Sequence, residues 1–201
     1  MEIFALLVLA AFGAYALKSK DQNRRIALLG SHLGRYQIEK LMESLAEGYL
    51  RALGEADLER RAQIWNLLAT TELELCEQFK RFVAGFSGVD AADARVSKLP
   101  VFIPFIDRLF PGATFDLRQA LAIHAQGISR AAGNEQQSLK NKAFTLSAEM
   151  FLMQHTCHWF CRSKTVASAR MLARHKTSHA QVLASVSPET REAYCALTGS
   201  R

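Results

Sequence analysis

Residues 3–17 read IFALLVLAAFGAYAL, and no side chain among them is charged. The next eight residues, KSKDQNRR (18–25), contain four basic side chains and one acidic side chain. An apolar stretch that ends at a basic cluster is typical of a membrane helix, and short basic flanks stay on the cytoplasmic side. The sequence therefore predicts that residues 3–17, called the anchor segment below, hold a single-pass protein in the inner (plasma) membrane. The N-terminus would lie outside and the bulk of the chain in the cytoplasm.

Two other interpretations of the anchor segment stay open. Fifteen residues extend only about 22 Å as a helix, whereas a spanning helix usually has about 20 apolar residues. A cleaved signal peptide fits this length better, and Ala14-Tyr15-Ala16 has the small-x-small form of a cleavage site, although Glu2 is acidic where a signal peptide is basic. A helix buried in a soluble core is the third interpretation, but the segment has no polar face.

The composition is that of a globular protein, because 49% of the 201 residues are hydrophobic and 22% are charged. The roughly 175 residues after the anchor segment and its basic flank are enough for one domain with its own core. Four unevenly spaced cysteines fit reduced cytoplasmic thiols better than a disulfide framework. We divide the chain into an anchor and basic flank (1–25), an amphipathic helical pair (26–86), a hinge and apolar connector (87–114) and a basic helical region (115–201).

Apolar residues recur every three or four positions over residues 31–53, 56–86, 138–162 and 166–186. This spacing is typical of amphipathic helices that bury one face. Ser187-Pro188 favours the start of a short terminal helix, since proline is common at the first helical position. No segment alternates between apolar and polar residues as a strand would. The sequence predicts an all-α protein in which an N-terminal transmembrane or signal-anchor helix precedes an antiparallel helical bundle.

The segment LPVFIPFIDRLFP (99–111) interrupts the helical pattern, because its three prolines prevent a long regular helix. Eight of its thirteen residues are large and apolar. The preferred interpretation is a buried connector between two helical pairs. Alternatively it is an apolar interaction segment that contacts the membrane interface or a partner's hydrophobic groove. The candidate contact residues are Phe102, Phe105, Leu109 and Phe110.

The net charge of +6 lies in the C-terminal third, since residues 137–201 contain nine basic and three acidic side chains. A basic surface of this kind can bind anionic lipid, nucleic acid or an acidic partner protein. An ordinary solvated helix face would have the same composition. The candidate basic patch consists of Arg162, Lys164, Arg170, Arg174 and Lys176.

A cysteine–histidine set, Cys157-x3-Cys161-x13-His175-x3-His179, approximates the ligand spacing of a zinc finger. Helical geometry argues against a shared zinc site. In a hairpin that turns near Ser163, the histidines face residues 152 and 148, roughly 13 Å along the axis from the cysteines. Zinc bonds are only about 2.0–2.3 Å long. We therefore expect no resident cofactor, core positions for the cysteines and hydrogen-bonded positions between helices for the histidines. The alternatives are zinc at these four residues, a metal shared with His155 or His158, and a metal bound across a dimer.

The sequence contains no phosphate-binding glycine loop, no G-x-S-x-G and no H-E-x-x-H, and we nominate no catalytic residue. The preferred hypothesis is a membrane-anchored cytoplasmic scaffold that recruits an unidentified partner protein, with oligomerisation left open. The first alternative is a regulatory nucleic-acid-binding protein that uses residues 157–179, with or without zinc. The second alternative is an enzyme whose helical active site has no sequence motif.

Overall fold

The structure is a computed structural model that describes residues 2–100 and 110–200. Eight α-helices and a two-stranded antiparallel sheet form this part of the chain, so the predicted all-α bundle with an apolar N-terminal helix is confirmed. The helices are α1 (Glu2–Leu33), α2 (Ile38–Gly54), α3 (Leu58–Phe86), α4 (Leu117–Ala132), α5 (Leu139–Cys161), α6 (Lys164–His175), α7 (His179–Ser185) and α8 (Pro188–Thr198).

Helix α1 belongs to two environments. Residues 2–20 lie almost wholly exposed, whereas Gln22, Arg25 and Leu29 are buried against the bundle. Within the described residues, α1 is the one helix long and apolar enough to cross a membrane, and none of its most apolar stretch is buried. The interpretation of the anchor segment as a core helix is therefore wrong. Its length and composition suit both a spanning helix and a signal sequence.

The predicted helix over 31–53 begins later than expected, because α1 continues to Leu33 and α2 starts only at Ile38. Backbone hydrogen bonds from Gly34 to Gly30 and from Tyr36 to Leu33 close the end of α1 and turn the chain. Helix α3 begins at an N-cap, where the Asp57 side chain accepts from the Arg60 amide. This arrangement lets α2 and α3 pack antiparallel on a common core.

Apolar burial and one polar cluster hold α2, α3 and α5 together. Leu45, Phe79 and Leu146 are fully buried between the helices. In the same core, the Tyr49 hydroxyl donates to Glu72 Oε1 at 2.7 Å. Lys142 Nζ lies 2.6 Å from Glu72 Oε2, in a pair whose side chains are only 17% and 5% exposed. The remaining large buried residues of this core include Ile38, Leu75, Phe82, Phe86 and Leu121.

The structure contains two short strands that the sequence analysis did not predict. Strand β1 (Arg95–Ser97) pairs antiparallel with strand β2 (Thr114–Asp116). Three residues are too few to produce an alternating pattern that a sequence argument can detect. Trp159 covers this ribbon by packing on Phe115, with ring centroids 5.0 Å apart, and its Nε1 donates to the Ser97 carbonyl at 2.8 Å. The ribbon therefore joins the connector to the C-terminal end of α5.

The predicted apolar segment falls mostly outside the described residues. Phe102, Phe105 and Leu109 lie there, whereas Phe110 is described and is 62% exposed. A single turn of 3₁₀ helix, Pro111–Ala113, follows it and leads into β2.

The C-terminal third begins with the predicted helix over 138–162, which is confirmed as α5, and the turn near Ser163 is also confirmed. The predicted helix over 166–186 is wrong, because α6 ends at His175 and Lys176 adopts a left-handed conformation with φ of 54°. A capping box then starts α7, in which Ser178 and Gln181 satisfy each other's backbone amides. The terminal helix α8 begins at Pro188 as predicted.

Candidate functional site

A groove of about 850 Å³ runs between α2 on one side and α6 on the other. Residues of α5 lie between the two helices, and the C-terminal end of α1 contributes Gly30 and Leu33 to the lining. Met42 and Phe151 supply apolar surface, and Gln154 supplies a polar amide. We call this feature the groove.

The groove continues at both ends. Toward the anchor, a cavity of about 350 Å³ is lined by Ile26, Cys157, Cys161 and Arg162, among others, and shares Gln154 and His158 with the groove. At the far end, a cavity of about 540 Å³ shares Arg174 and His175 with it. The exposed side chains of Leu50 and Phe144 border that far end, with 74% and 60% of their surface accessible. The whole feature therefore follows one face of the bundle.

The two sides of the groove differ in charge, because the α2 side carries three glutamates beside the single cation Lys40, whereas the α6 side is basic. Glu39, Glu43 and Glu47 recur every four residues on α2, so they share one helix face. Arg174 faces them from α6, with its Nη2 3.8 Å from Glu43 Oε1, and Arg170 lines the adjoining cavity that also contains Glu39. Both partners of this ion pair are about 60% exposed. An exposed pair of this kind contributes little to stability, so a ligand can separate it at small cost.

Two histidines line the groove in neutral form. His175 stacks on Phe151, with ring centroids 3.9 Å apart, and its Nε2 is 2.9 Å from Gln154 Oε1. Burial, and then Arg174, lower the pKa of His175. Burial also lowers the pKa of His158, and Arg170 and Arg174 lower it further. Both rings therefore offer one hydrogen-bond donor and one acceptor at neutral pH.

The two cysteines beneath the groove are poor nucleophiles. Cys157 is buried, and its Sγ lies 3.8 Å from Met153 Sδ. Burial raises the pKa of the Cys157 thiol well above its ordinary value. Burial also raises the pKa of Cys161 to about 11. Because the thiolate is the reactive and metal-binding form, neither side chain is activated for catalysis.

The structure does not bring the four predicted zinc ligands together. His175 lies level with residues 151–154, as the hairpin argument predicts, and is held by Gln154 rather than by a cysteine. The expected position of His179 opposite residue 148 is wrong, because the chain turns after His175 and places the His179 ring 4.3 Å from that of His155. Within residues 2–100 and 110–200, no group of three or more His, Cys, Asp or Glu side chains is placed to hold a metal ion.

The predicted basic patch divides into two groups. Arg162 and Lys164 lie at the end of the bundle that α1 enters, where Arg162 Nη1 donates to Gln22 Oε1 at 2.6 Å. Arg174 lines the groove, and Arg170 lines the adjoining cavity on the anchor side. Lys176 caps the far end of α6 and is exposed. Ten residues of helix, or about 15 Å, separate position 164 from position 174.

A buried histidine cluster, formed by His124, His155 and His179, is a feature that the sequence analysis missed. His124 Nε2 lies 2.9 Å from Thr156 Oγ1, and His155 Nε2 lies 3.0 Å from Ser168 Oγ. Burial lowers the pKa values of these histidines to about 3, 2 and 4, respectively. His124 Nδ1, His155 Nδ1 and His179 Nε2 have no hydrogen-bond partner in the described residues.

No local sequence signal identifies this cluster. Its three rings come from α4, α5 and α7, and only the tertiary packing of these helices brings them together. His124 and His155 are fully buried and His179 is half-buried, so the cluster forms part of the core rather than an open site.

Comparisons of the chain with protein-family models, with curated proteins and with solved structures find no match.

Proposed function

We propose that this chain is a membrane-anchored interaction protein that holds a partner protein at the inner (plasma) membrane. In this proposal α1 spans the bilayer with the N-terminus outside, and the bundle lies in the cytoplasm. The groove binds an amphipathic helix of the partner. The supporting observation is that one uninterrupted helix, α1, carries the exposed anchor segment and also lines the groove through Gly30 and Leu33.

The exposure of the anchor segment supports insertion into a bilayer. Nine of its large hydrophobic side chains are exposed, among them Ile3 at 76%, Phe4 at 73% and Phe12 at 70%. Removing one such side chain from water contributes about 1.5–3 kcal/mol, so nine together give on the order of 10–25 kcal/mol. A free energy of this size favours a hydrocarbon environment over water for residues 3–17.

The basic flank supports the proposed orientation. Lys18, Lys20, Arg24 and Arg25 follow the anchor segment, whereas Glu2 precedes it. Basic residues close to a membrane helix remain on the cytoplasmic side. The four cysteines are free in the structure, as expected of a chain in a reducing compartment.

The charge pattern of the groove favours a protein partner over nucleic acid. An amphipathic helix can place apolar residues on Met42 and Phe151 while its charged flanks meet both sides of the groove. A phosphate backbone would meet Arg170 and Arg174, but the glutamates of α2 on the opposite side would repel it. Exposed apolar side chains that border a groove are a further mark of an interaction site.

Site-specific photocrosslinking in membranes tests the binding proposal. A photoreactive residue replaces Ala46 in the groove, and the matched control replaces Gln63, an exposed residue of α3. We expect a defined protein product from position 46 and none from position 63. The same product should form when the photoreactive residue is placed in the identified partner, and the double variant Arg170→Glu, Arg174→Glu should abolish it.

Two other results would contradict the proposal. Equal products from positions 46 and 63 would mean that the groove is not a binding site. Crosslinking of position 46 to nucleic acid would support the regulatory alternative instead.

A further inference from the structure

We infer that the end of the bundle next to the anchor is a binding surface for anionic phospholipid headgroups. This surface consists of Lys18, Lys20, Lys98, Arg162 and Lys164, and we call it the membrane-proximal surface. The inference rests on the proposed anchoring of α1. It adds a lipid partner and a fixed orientation of the bundle to the proposed function.

The continuity of α1 fixes the distance between the membrane and the bundle. Contacts with the bundle begin at residues 21–25, where Arg25 Nη1 donates to the Arg95 carbonyl at 2.7 Å and Arg24 Nη1 lies 2.7 Å from Asp93 Oδ1. Residue 22 follows Leu17 by five positions, or about 7–8 Å along the axis. Arg162, which is bonded to Gln22, is therefore held at the same level.

This level coincides with the headgroup layer. A bilayer of about 40–45 Å has a hydrocarbon core of about 30 Å, so each headgroup layer is about 5–8 Å thick. The anchor segment spans only about 22 Å, so the core reaches past Leu17 unless the bilayer thins. Lys18 and Lys20 would then extend toward the interface, and residue 22 would lie among the headgroups.

Three chain segments meet at the same end of the bundle. The C-terminal end of α5 carries Arg162, and Lys164 opens α6 with its ammonium 5.0 Å from the centre of the Trp159 ring. Thr165 Oγ1 donates to the Pro100 carbonyl at 2.7 Å, which brings the segment that contains Lys98 beside α6. The strand before Lys98 is held by Trp159, as described above. Tertiary contacts thus place cations from distant parts of the sequence on one surface.

Two acidic residues at this end, Asp21 and Asp93, are already paired with arginines. Asp21 accepts from Arg25 at 2.7 Å and from Arg24 at 3.4 Å, and Asp93 accepts from Arg24. In the part of the chain that the structure describes, none of the five cations of the membrane-proximal surface forms an ion pair with a carboxylate. Each cation close to an anionic membrane raises affinity roughly five-fold. These cations therefore favour anionic phospholipid headgroups over zwitterionic headgroups, which carry no net charge.

The test uses the full chain in lipid nanodiscs that contain phosphatidylcholine and phosphatidylglycerol. Native mass spectrometry of the released protein measures the ratio of the two lipids that stay bound. The test variant is Lys98→Gln, Arg162→Gln, Lys164→Gln. The matched control is Lys140→Gln, Lys176→Gln, Arg191→Gln, which removes the same charge from the far ends of α5 and α6 and from the start of α8.

We expect the wild-type chain and the control to retain phosphatidylglycerol preferentially. In the test variant, the ratio of bound phosphatidylglycerol to bound phosphatidylcholine should be at least ten-fold lower. The preference of the wild-type chain should also weaken in 0.5 M salt, because salt screens exposed charges. A second variant, Lys98→Gln, Lys164→Gln, keeps the Arg162–Gln22 bond and should lose an intermediate part. This double variant replaces the triple variant in the test if circular dichroism shows that the triple variant is unfolded.

An unchanged lipid ratio in the test variants, or an equal loss in the control, would overturn the inference. A chain that enters nanodiscs but shows no lipid preference would leave the proposed anchoring intact. A chain that fails to enter nanodiscs would contradict the anchoring and the headgroup surface together.

Discussion

Acid should unfold this protein at a pH set by its buried histidine cluster. His124, His155 and His179 have folded-state pKa values of about 3, 2 and 4, against an ordinary value of 6.5, because burial disfavours the charged ring. The unfolded chain binds protons at these positions first as the pH falls. The stability that the neutral rings retain above pH 6.5 is therefore lost as the pH falls toward the folded-state values.

The size of the effect follows from the shift. Below pH 6.5, each histidine lowers the free energy of unfolding by about 1.4 kcal/mol per pH unit, which amounts to about 2 kcal/mol at pH 5. Three such groups give on the order of 6 kcal/mol, a large part of the 5–15 kcal/mol that stabilises a typical domain. His179 is only partly buried, so its share is the smallest. Burial raises the pKa of Glu149, and this carboxyl offsets part of the loss as it becomes protonated.

The assay is urea unfolding of the full chain, followed by circular dichroism at pH 7 and pH 5 in the same detergent. We expect the free energy of unfolding to fall by several kcal/mol between the two values. Substituting His179→Gln should remove a share of this pH dependence, because it removes one of the three titrating rings. Equal unfolding free energies at pH 7 and pH 5 would refute the reasoning.

Three further predictions concern single side chains. Lys142→Ala should cost about 3–5 kcal/mol in urea unfolding, because it leaves the Glu72 carboxylate buried without its cation, and a loss below 1 kcal/mol would show that the pair is solvated. Gly127→Ala should cost about 1–3 kcal/mol in thermal unfolding, since its new methyl group would collide with Glu149 and Thr190, and an unchanged melting temperature would contradict that packing. Cys161, with a pKa of about 11, should react with iodoacetamide at pH 7.5 far more slowly than a free thiol peptide, and an equal rate would mean that its pKa is not raised.

Hydrophobic periodicity and capping residues predicted the helical class, the extent of α5 and the turn at Ser163, because these features depend on local sequence. The break after His175 was missed although it too has a local cause. In the capping box Ser178-x-x-Gln181, each side chain accepts a hydrogen bond from the backbone amide of the other residue. In a continuous helix these amides would donate to backbone carbonyls, so the box marks the start of a new helix. The signal was missed because the spacing of four residues suggested one continuous helix face: Leu172, His175, His179 and Val182. Leu172 does not belong to a buried face, since 55% of its surface is exposed.

The candidate site depends on contacts that no local pattern contains. The groove forms because α2 lies opposite α6, and Glu43 and Arg174 are 131 positions apart in the sequence. Likewise, the basic residues after the anchor segment led us to predict a cytoplasmic flank, but they did not indicate that α1 continues into the bundle. That path depends on the bond between Gln22 and Arg162, which joins residues 140 positions apart. Long-range pairing of this kind separates the predicted basic patch into two groups with different surroundings.

Membrane fractionation with an alkaline carbonate wash tests whether α1 anchors the bundle to the bilayer. The full chain is compared with a chain that lacks residues 1–17, a segment exposed along almost its whole length outside the bundle. We predict that the full chain stays in the washed membrane pellet and that the shortened chain is recovered, folded, in the supernatant. Recovery of both chains in the supernatant would contradict the account.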